Sequence, residues 1–126
     1  MREQDLLVLL DTFMRAFNDH DADALMRCMT DDCVFFTAAG NGPEGNALRG
    51  QAAVKAGFEA IWKKCPDARW SNGRHAVSGN RGFSEWRYTG TAADGSGSVA
   101  VNGVDIFTFK DGKIQVKDSY RKQAAA

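Results

Sequence analysis

The stretch that most constrains this 126-residue chain runs from Val99 to Tyr120, where two strand-like runs flank Lys110-Asp111-Gly112-Lys113. Asp-Gly between alternating apolar residues is the strongest short-range hairpin signal, because both turn residues tolerate the positive φ of a type I′ turn. A two-residue loop fixes the register. Lys110 faces Lys113, and outward from there Phe109 faces Ile114, Phe107 faces Val116, Asp105 faces Asp118 and Gly103 faces Tyr120. Side chains alternate across a strand, so these residues share one face. Phe107, Phe109, Ile114 and Val116 make it the buried face, and Asp105 and Asp118 lie on it directly opposite each other. Two carboxylates in that position, with Cβ atoms about 4.5–5.5 Å apart, repel. They must share a proton, find a cation or line a wet cavity, so the pair is expected to mark a site.

The rest of the chain gives little room for other kinds of function. The length fits a single domain, expected over residues 1–126. Lys plus Arg and Asp plus Glu both count 16, which removes any electrostatic drive toward nucleic acid or a membrane surface. The longest apolar run near the N-terminus, Leu6 to Leu10, is too short for a secretory core or a membrane span, and a cytoplasmic location is expected. Cys28, Cys33 and Cys65 are odd in number and lack a CxxC pair, so buried, reduced thiols are expected. Two histidines with scattered carboxylates assemble no metal-ligand spacing, and Gly40, Gly42 and Gly45 lack the strand-to-helix context of a phosphate loop. Neither a metal nor a cofactor is expected.

Leu6, Leu9, Leu10, Phe13, Met14 and Phe17 recur at helical spacing and predict an amphipathic helix from Glu3 to Phe17. Asp21 is a plausible N-cap for a second helix carrying Leu25, Met26 and Met29, with His20 in the turn between. Cys33 to Thr37 reads as a short strand, Ala38 to Gly50 as the longest irregular segment, and Gln51 to Lys64 as a third helix. Sheet follows from about Arg69 to Ser78 and Arg81 to Ala93, turning at Gly79-Asn80 and at Asp94 to Gly97. Register carried through those turns, with Ala93 opposite Ser98, sets Trp86 opposite Asp105 and His75 opposite Ser84. One face then collects His75, Ser84, Trp86, Tyr88, Asp105, Asp118 and Tyr120. The other would carry Arg74, Glu85, Arg87, Val104, Ile106, Lys117 and Ser119, a mixed surface suited to a partner subunit.

Helices packed on one face of a curved antiparallel sheet make an α+β order. Ala16 to Leu25 (AFNDHDADAL), Thr30 to Phe35 (TDDCVF), Arg49-Gly50 and Gly103 to Ile114 (GVDIFTFKDGKI) together resemble the SnoaL-like branch of the nuclear transport factor 2-like superfamily. That resemblance implies a cone-shaped, cystatin-like fold with three N-terminal helices, and a homodimer formed through the sheet, with Val104 and Ile106 as an apolar patch. Polyketide cyclases of this branch use a cavity aspartate on the penultimate strand as general acid/base, a position Asp105 fits. The epoxide hydrolase type of the superfamily uses Asp-Arg-Asp. Asp105 and Asp118 resemble its aspartates, but Gly103 stands where its arginine would be. Ketosteroid isomerases carry a helix-one tyrosine, where this chain has Phe13 or Phe17, and a base after the first strand, where it has Thr37-Ala38-Ala39.

The expected chemistry is proton transfer without a cofactor, of isomerase, cyclase or lyase type, on an apolar cyclic or enolisable molecule. Paired carboxylates in an apolar cavity separate into one protonated acid and one ionised base. Asp105 is the expected base, with Asp118 or His75 assisting. Tyr88 or Tyr120 would stabilise the oxygen, and Trp86, Tyr88, Tyr120, Phe17, Phe35 and Trp62 would form the pocket walls. The competing expectation is a binding or association module of the same fold without catalysis.

Overall fold

The computed structural model describes residues 2–123. Helix α1 (Glu3–Asn18) leads through a tight turn at His20 into the short α2 (Ala22–Arg27). Asp21 caps α2, its Oδ1 accepting from the Ala24 amide at 3.0 Å, as the sequence predicts. Strand β1 (Met29–Phe36) is longer than expected, starting four residues before Cys33. The segment expected to be irregular contains β2 (Ala47–Arg49), which folds back antiparallel onto Val34–Phe36. Helix α3 (Gln51–Lys64) precedes a long meander of β3 (Arg69–Ser78), β4 (Arg81–Thr91), β5 (Ser98–Lys110) and β6 (Lys113–Arg121). These strands form one sheet in the order β2-β1-β6-β5-β4-β3, antiparallel except where β1 runs parallel to β6.

The three helices cover the concave face of the sheet. Leu6, Leu10, Phe13 and Phe17 of α1, Leu25 of α2 and Val54 and Phe58 of α3 are buried against Phe107, Phe109 and Ile114. Phe13 meets Phe17, Phe58 and Phe107 edge-on, with ring centroids 5.3, 6.1 and 5.7 Å away, so the core closes on an aromatic cluster. Cys28, Cys33 and Cys65 are buried free thiols. No described helix is long and apolar enough to cross a membrane.

Two registers decide where the chemistry falls. Asp111 and Gly112 take φ of 52° and 76°, the turn their sequence predicts, and Lys110 pairs with Lys113 and Phe109 with Ile114. Beyond that the uniform pairing fails: Thr108 pairs with Val116, so Gln115 is an extra residue on β6, a β-bulge. Every later residue of β6 is thereby turned to the face opposite the expected one. Asp105 pairs with Ser119, and Asp118 with Ile106. In the β4–β5 connection Thr91, rather than Ala93, faces Ser98. That slip shifts the pairing by an even number, so every side chain keeps its expected face, with Ser84 opposite Asp105 and Trp86 opposite Gly103.

Candidate functional site

The bulge brings Lys117 and Ser119 onto the concave face beside Asp105, and the three side chains meet in a closed polar cluster. Lys117 Nζ donates to Asp105 Oδ1 at 3.0 Å and to Ser119 Oγ at 2.7 Å. The Ser119 hydroxyl in turn donates to the same Asp105 oxygen. The Trp86 indole N–H donates to Asp105 Oδ2 at 3.1 Å, so both carboxylate oxygens are engaged. The side chains of Lys117 and Asp105 are only 6% and 9% exposed. A buried ammonium needs a counter-charge, and Asp105 supplies it. The same ammonium lies over the Phe35 ring at 4.6 Å and the Phe17 ring at 5.2 Å, an aromatic cradle that suits a cation stripped of water.

The cluster forms one wall of a cavity of about 580 Å³ between the concave face, α3 and the β4–β5 connection. Its walls are mainly apolar, with Phe35, Leu48, Ile61, Trp70, Trp86 and Tyr88 prominent. Strand β6 presents Lys117, Ser119 and Arg121 to it, at alternate positions and so in one line. Asp105 does not line this cavity. It faces instead a space of about 20 Å³ beneath, shared with Phe13, Phe17, Ser84 and Phe107, room for about one water molecule. Burial, with the Cys65 thiol beside it, pushes the Tyr88 hydroxyl well above the usual tyrosine value. It stays a protonated hydroxyl at neutral pH.

The other residues expected at the site fall as follows. Phe35, Trp86 and Tyr88 do line the cavity. Phe17 and Trp62 are core residues outside it: Trp62 stacks on His20 with ring centroids 5.0 Å apart, and His20 Nε2 sits 2.9 Å from the Ala68 carbonyl, tying the α1–α2 turn to the rest of the fold. The expected pairing of Asp105 with Asp118 is corrected. The bulge sends Asp118 and Tyr120 to the convex face, where the Tyr120 hydroxyl donates to Asp118 at 3.2 Å and Tyr120 is 51% exposed. His75 faces Ser84 as expected, with Nδ1 2.7 Å from the Ser84 hydroxyl oxygen. However, it is two strand spacings, about 10 Å, from Asp105. Burial lowers the His75 pKa below the usual histidine value, against a smaller opposing effect of Asp11.

Lys117 and Ser119, expected on the convex surface, are the residues that uniform pairing misplaces. The misfit itself was the available signal: moving β6 by one position replaces two facing carboxylates with an aspartate facing a serine and flanked by a lysine. Gly103 also has a steric reason. A Cβ there would run into the Trp86 ring and the Tyr120 carbonyl, so this position accommodates neither an arginine nor any other side chain without displacing the indole that binds Asp105.

Comparison with known proteins agrees with the fold. A provisionally named polyketide cyclase from Xanthomonas campestris pv. campestris superimposes with a TM-score of 0.83 at 20% identity, over 94% of this chain and 90% of that one. A nuclear transport factor 2-like protein of unknown function from Mesorhizobium loti gives 0.80 at 28% identity, over 98% and 95% of the two chains. A provisionally named isomerase from Bacillus subtilis gives 0.81 at 15%, over 97% and 90%. No curated protein matches the sequence. The SnoaL-like domain model matches residues 10–116, nearly the whole chain, and so the chain belongs to the SnoaL-like domain family.

Proposed function

We propose that the protein is a cofactor-independent proton-transfer enzyme, acting on an apolar, enolisable small molecule held in the 580 Å³ cavity. The observation that carries this reading is the Asp105–Lys117–Ser119 cluster, a buried charge pair that opens onto a mainly apolar cavity through Lys117 and Ser119. A well-packed apolar trio would cost the fold less than a desolvated ion pair, so its presence at a cavity wall favours chemistry over stability. Asp105 remains the base of the reading, but it acts through Ser119. The Ser119 oxygen takes the proton from the carbon next to a carbonyl and passes its own proton to Asp105 Oδ1. The electron pair moves to the carbonyl oxygen, where Lys117 donates to the developing charge. Return of the proton at another carbon completes an isomerisation, and attack of the enolate on a second carbonyl a cyclisation. Neighbours named as a cyclase and an isomerase support this class of reaction.

The direct test is proton exchange in D2O, followed by NMR, on a panel of cyclic ketones and 1,3-dicarbonyls. The wild-type protein is expected to accelerate exchange at one α-position of at least one compound, and Asp105→Asn and Ser119→Ala to abolish that acceleration while keeping a folded spectrum. Full exchange in both variants overturns the relay. One observation favours a second reading, a ligand-binding module without turnover: both Asp105 oxygens are already engaged by the protein. That reading takes over if ligands bind but no exchange exceeds buffer. In either case we propose a homodimer through the convex sheet face around Val104, Ile106 and Tyr120, which sedimentation as a monomer at micromolar concentration would refute.

A further inference from the structure

The charges around the 580 Å³ cavity are one-sided. Its lining includes Lys64, Lys117 and Arg121 and, among the described residues, no aspartate or glutamate, in a chain whose formal charges sum to zero. Two of these cations have an acidic neighbour outside the lining. Asp105 neutralises Lys117 from below at 3.0 Å, and Asp94, held by the Ser96 amide at 2.9 Å, lies within the field of Lys64. Arg121 has no carboxylate within ion-pair distance among the described residues. Its guanidinium carbon stands 5.2 Å from the centre of the Tyr88 ring, so the ring face stabilises the cation, and among the described residues nothing hydrogen-bonds its N–H edge. Arg121 is exposed while lining the cavity, which places it at the opening. Lys117 and Ser119 precede it on the same face of β6, and the four-residue separation from Lys117 to Arg121 spans about 13 Å.

We propose that the cavity takes a carboxylate-bearing ligand: an apolar cyclic acid whose carboxylate is held by Arg121 at the opening, whose body lies against Trp86 and Tyr88, and whose far oxygen reaches Ser119 and Lys117. The inference rests on this cavity being the ligand site and adds to it the charge and orientation of the ligand. A planar guanidinium fork suits a carboxylate through two parallel hydrogen bonds, whereas the Lys117 ammonium, paired with Asp105 and bonded to Ser119, keeps one N–H, enough for the single oxygen at the far end of the ligand. An apolar body with an oxygen at each end therefore has one orientation in the cavity, with the anionic end outward.

Calorimetric titration at pH 7 with 2-naphthoate and with the neutral, nearly isosteric 2-naphthamide tests this. Expected is tighter binding of the acid by about tenfold, equivalent to about 1.4 kcal/mol. Arg121→Gln is expected to bring that ratio close to one, and Arg121→Lys, which keeps the charge but loses the fork, to leave an intermediate ratio. Equal affinity for acid and amide in the wild type overturns the proposal and leaves the cavity as a site for neutral molecules. A ratio untouched by Arg121→Gln also overturns it. If neither compound binds, the anion preference fails together with the cavity reading, whereas proton exchange on neutral ketones would show that only the former has failed.

Discussion

The ammonium of Lys117 stands 3.0 Å from a carboxylate oxygen of Asp105, with both side chains less than a tenth exposed. Removing either partner strands the other as an unpaired charge in an apolar interior. Lys117→Met and Asp105→Leu are each expected to cost about 3–5 kcal/mol, and the double variant to recover much of that loss. Chemical denaturation of the four proteins measures it. Additive losses would mean that the two charges are solvated independently and are not a pair.

The bulge at Gln115 is the feature on which the site depends. Deleting Gln115 removes the extra residue while Val116 stays opposite Thr108 and Ser119 opposite Asp105, so β6 pairs uniformly and Lys117 and Ser119 keep the concave face. The deletion is expected to keep cooperative thermal unfolding, with loss of the exposed bond from Gln115 Nε2 to Asp32, because Asp105 still faces Ser119. A variant that no longer melts cooperatively would mean that the bulge itself, and not only the pairing beyond it, holds β6 in place.

That dependence also shows what a sequence of this kind reveals. The helices, the hairpin turn, the buried face of β5 and the position of Asp105 follow from periodicity and turn chemistry, which are local. The even slip in the β4–β5 connection was harmless, since Trp86 and Tyr88 keep their face and the Trp86 indole still reaches Asp105 diagonally. The odd slip at Gln115 was not, because a period-2 pattern inverts with a single extra residue. Nothing within Lys113 to Arg121 marks that residue. Its cause is tertiary, the fit of Lys117 to Asp105 and to the ring faces of Phe17 and Phe35.

Gly103 lies against the indole that fixes Asp105. Gly103→Ala places a Cβ into the Trp86 ring and the Tyr120 carbonyl, and is expected to cost about 1–3 kcal/mol. It should also perturb the Trp86 indole N–H resonance, since the ring must move away from Oδ2. An unchanged indole resonance would mean that the backbone of β6, rather than the ring, gives way.

His75 gives the fold an acid sensitivity. Burial holds its pKa below the ordinary value near 6.5, so the unfolded chain takes up the proton first as the pH falls. The stability associated with the neutral ring is therefore complete above pH about 6.5 and is lost as the pH drops through the lowered folded value. His75→Gln, which can still bond Ser84, is expected to flatten that part of the melting-temperature profile between pH 7 and pH 5. A profile identical to wild type would assign the acid sensitivity to other groups.

The three thiols should react in an order set by their surroundings. Burial raises the pKa of Cys28 and Cys33, and the neighbouring Asp31 and Asp32 push Cys33 further up, so little thiolate exists there at neutral pH. Cys65 is also buried, at 6% exposure, but it belongs to the wall of the 580 Å³ cavity, where a small reagent can arrive. Iodoacetamide labelling followed by peptide mass spectrometry is expected to modify Cys65 first, and Cys28 and Cys33 only at the rate of global unfolding. Filling the cavity with a ligand should block the first reaction directly and slow the other two only as far as it suppresses global unfolding. Equal labelling of all three in the native protein would mean that the cavity is closed to solvent, and no ligand could then enter it without a larger opening of the sheet and α3.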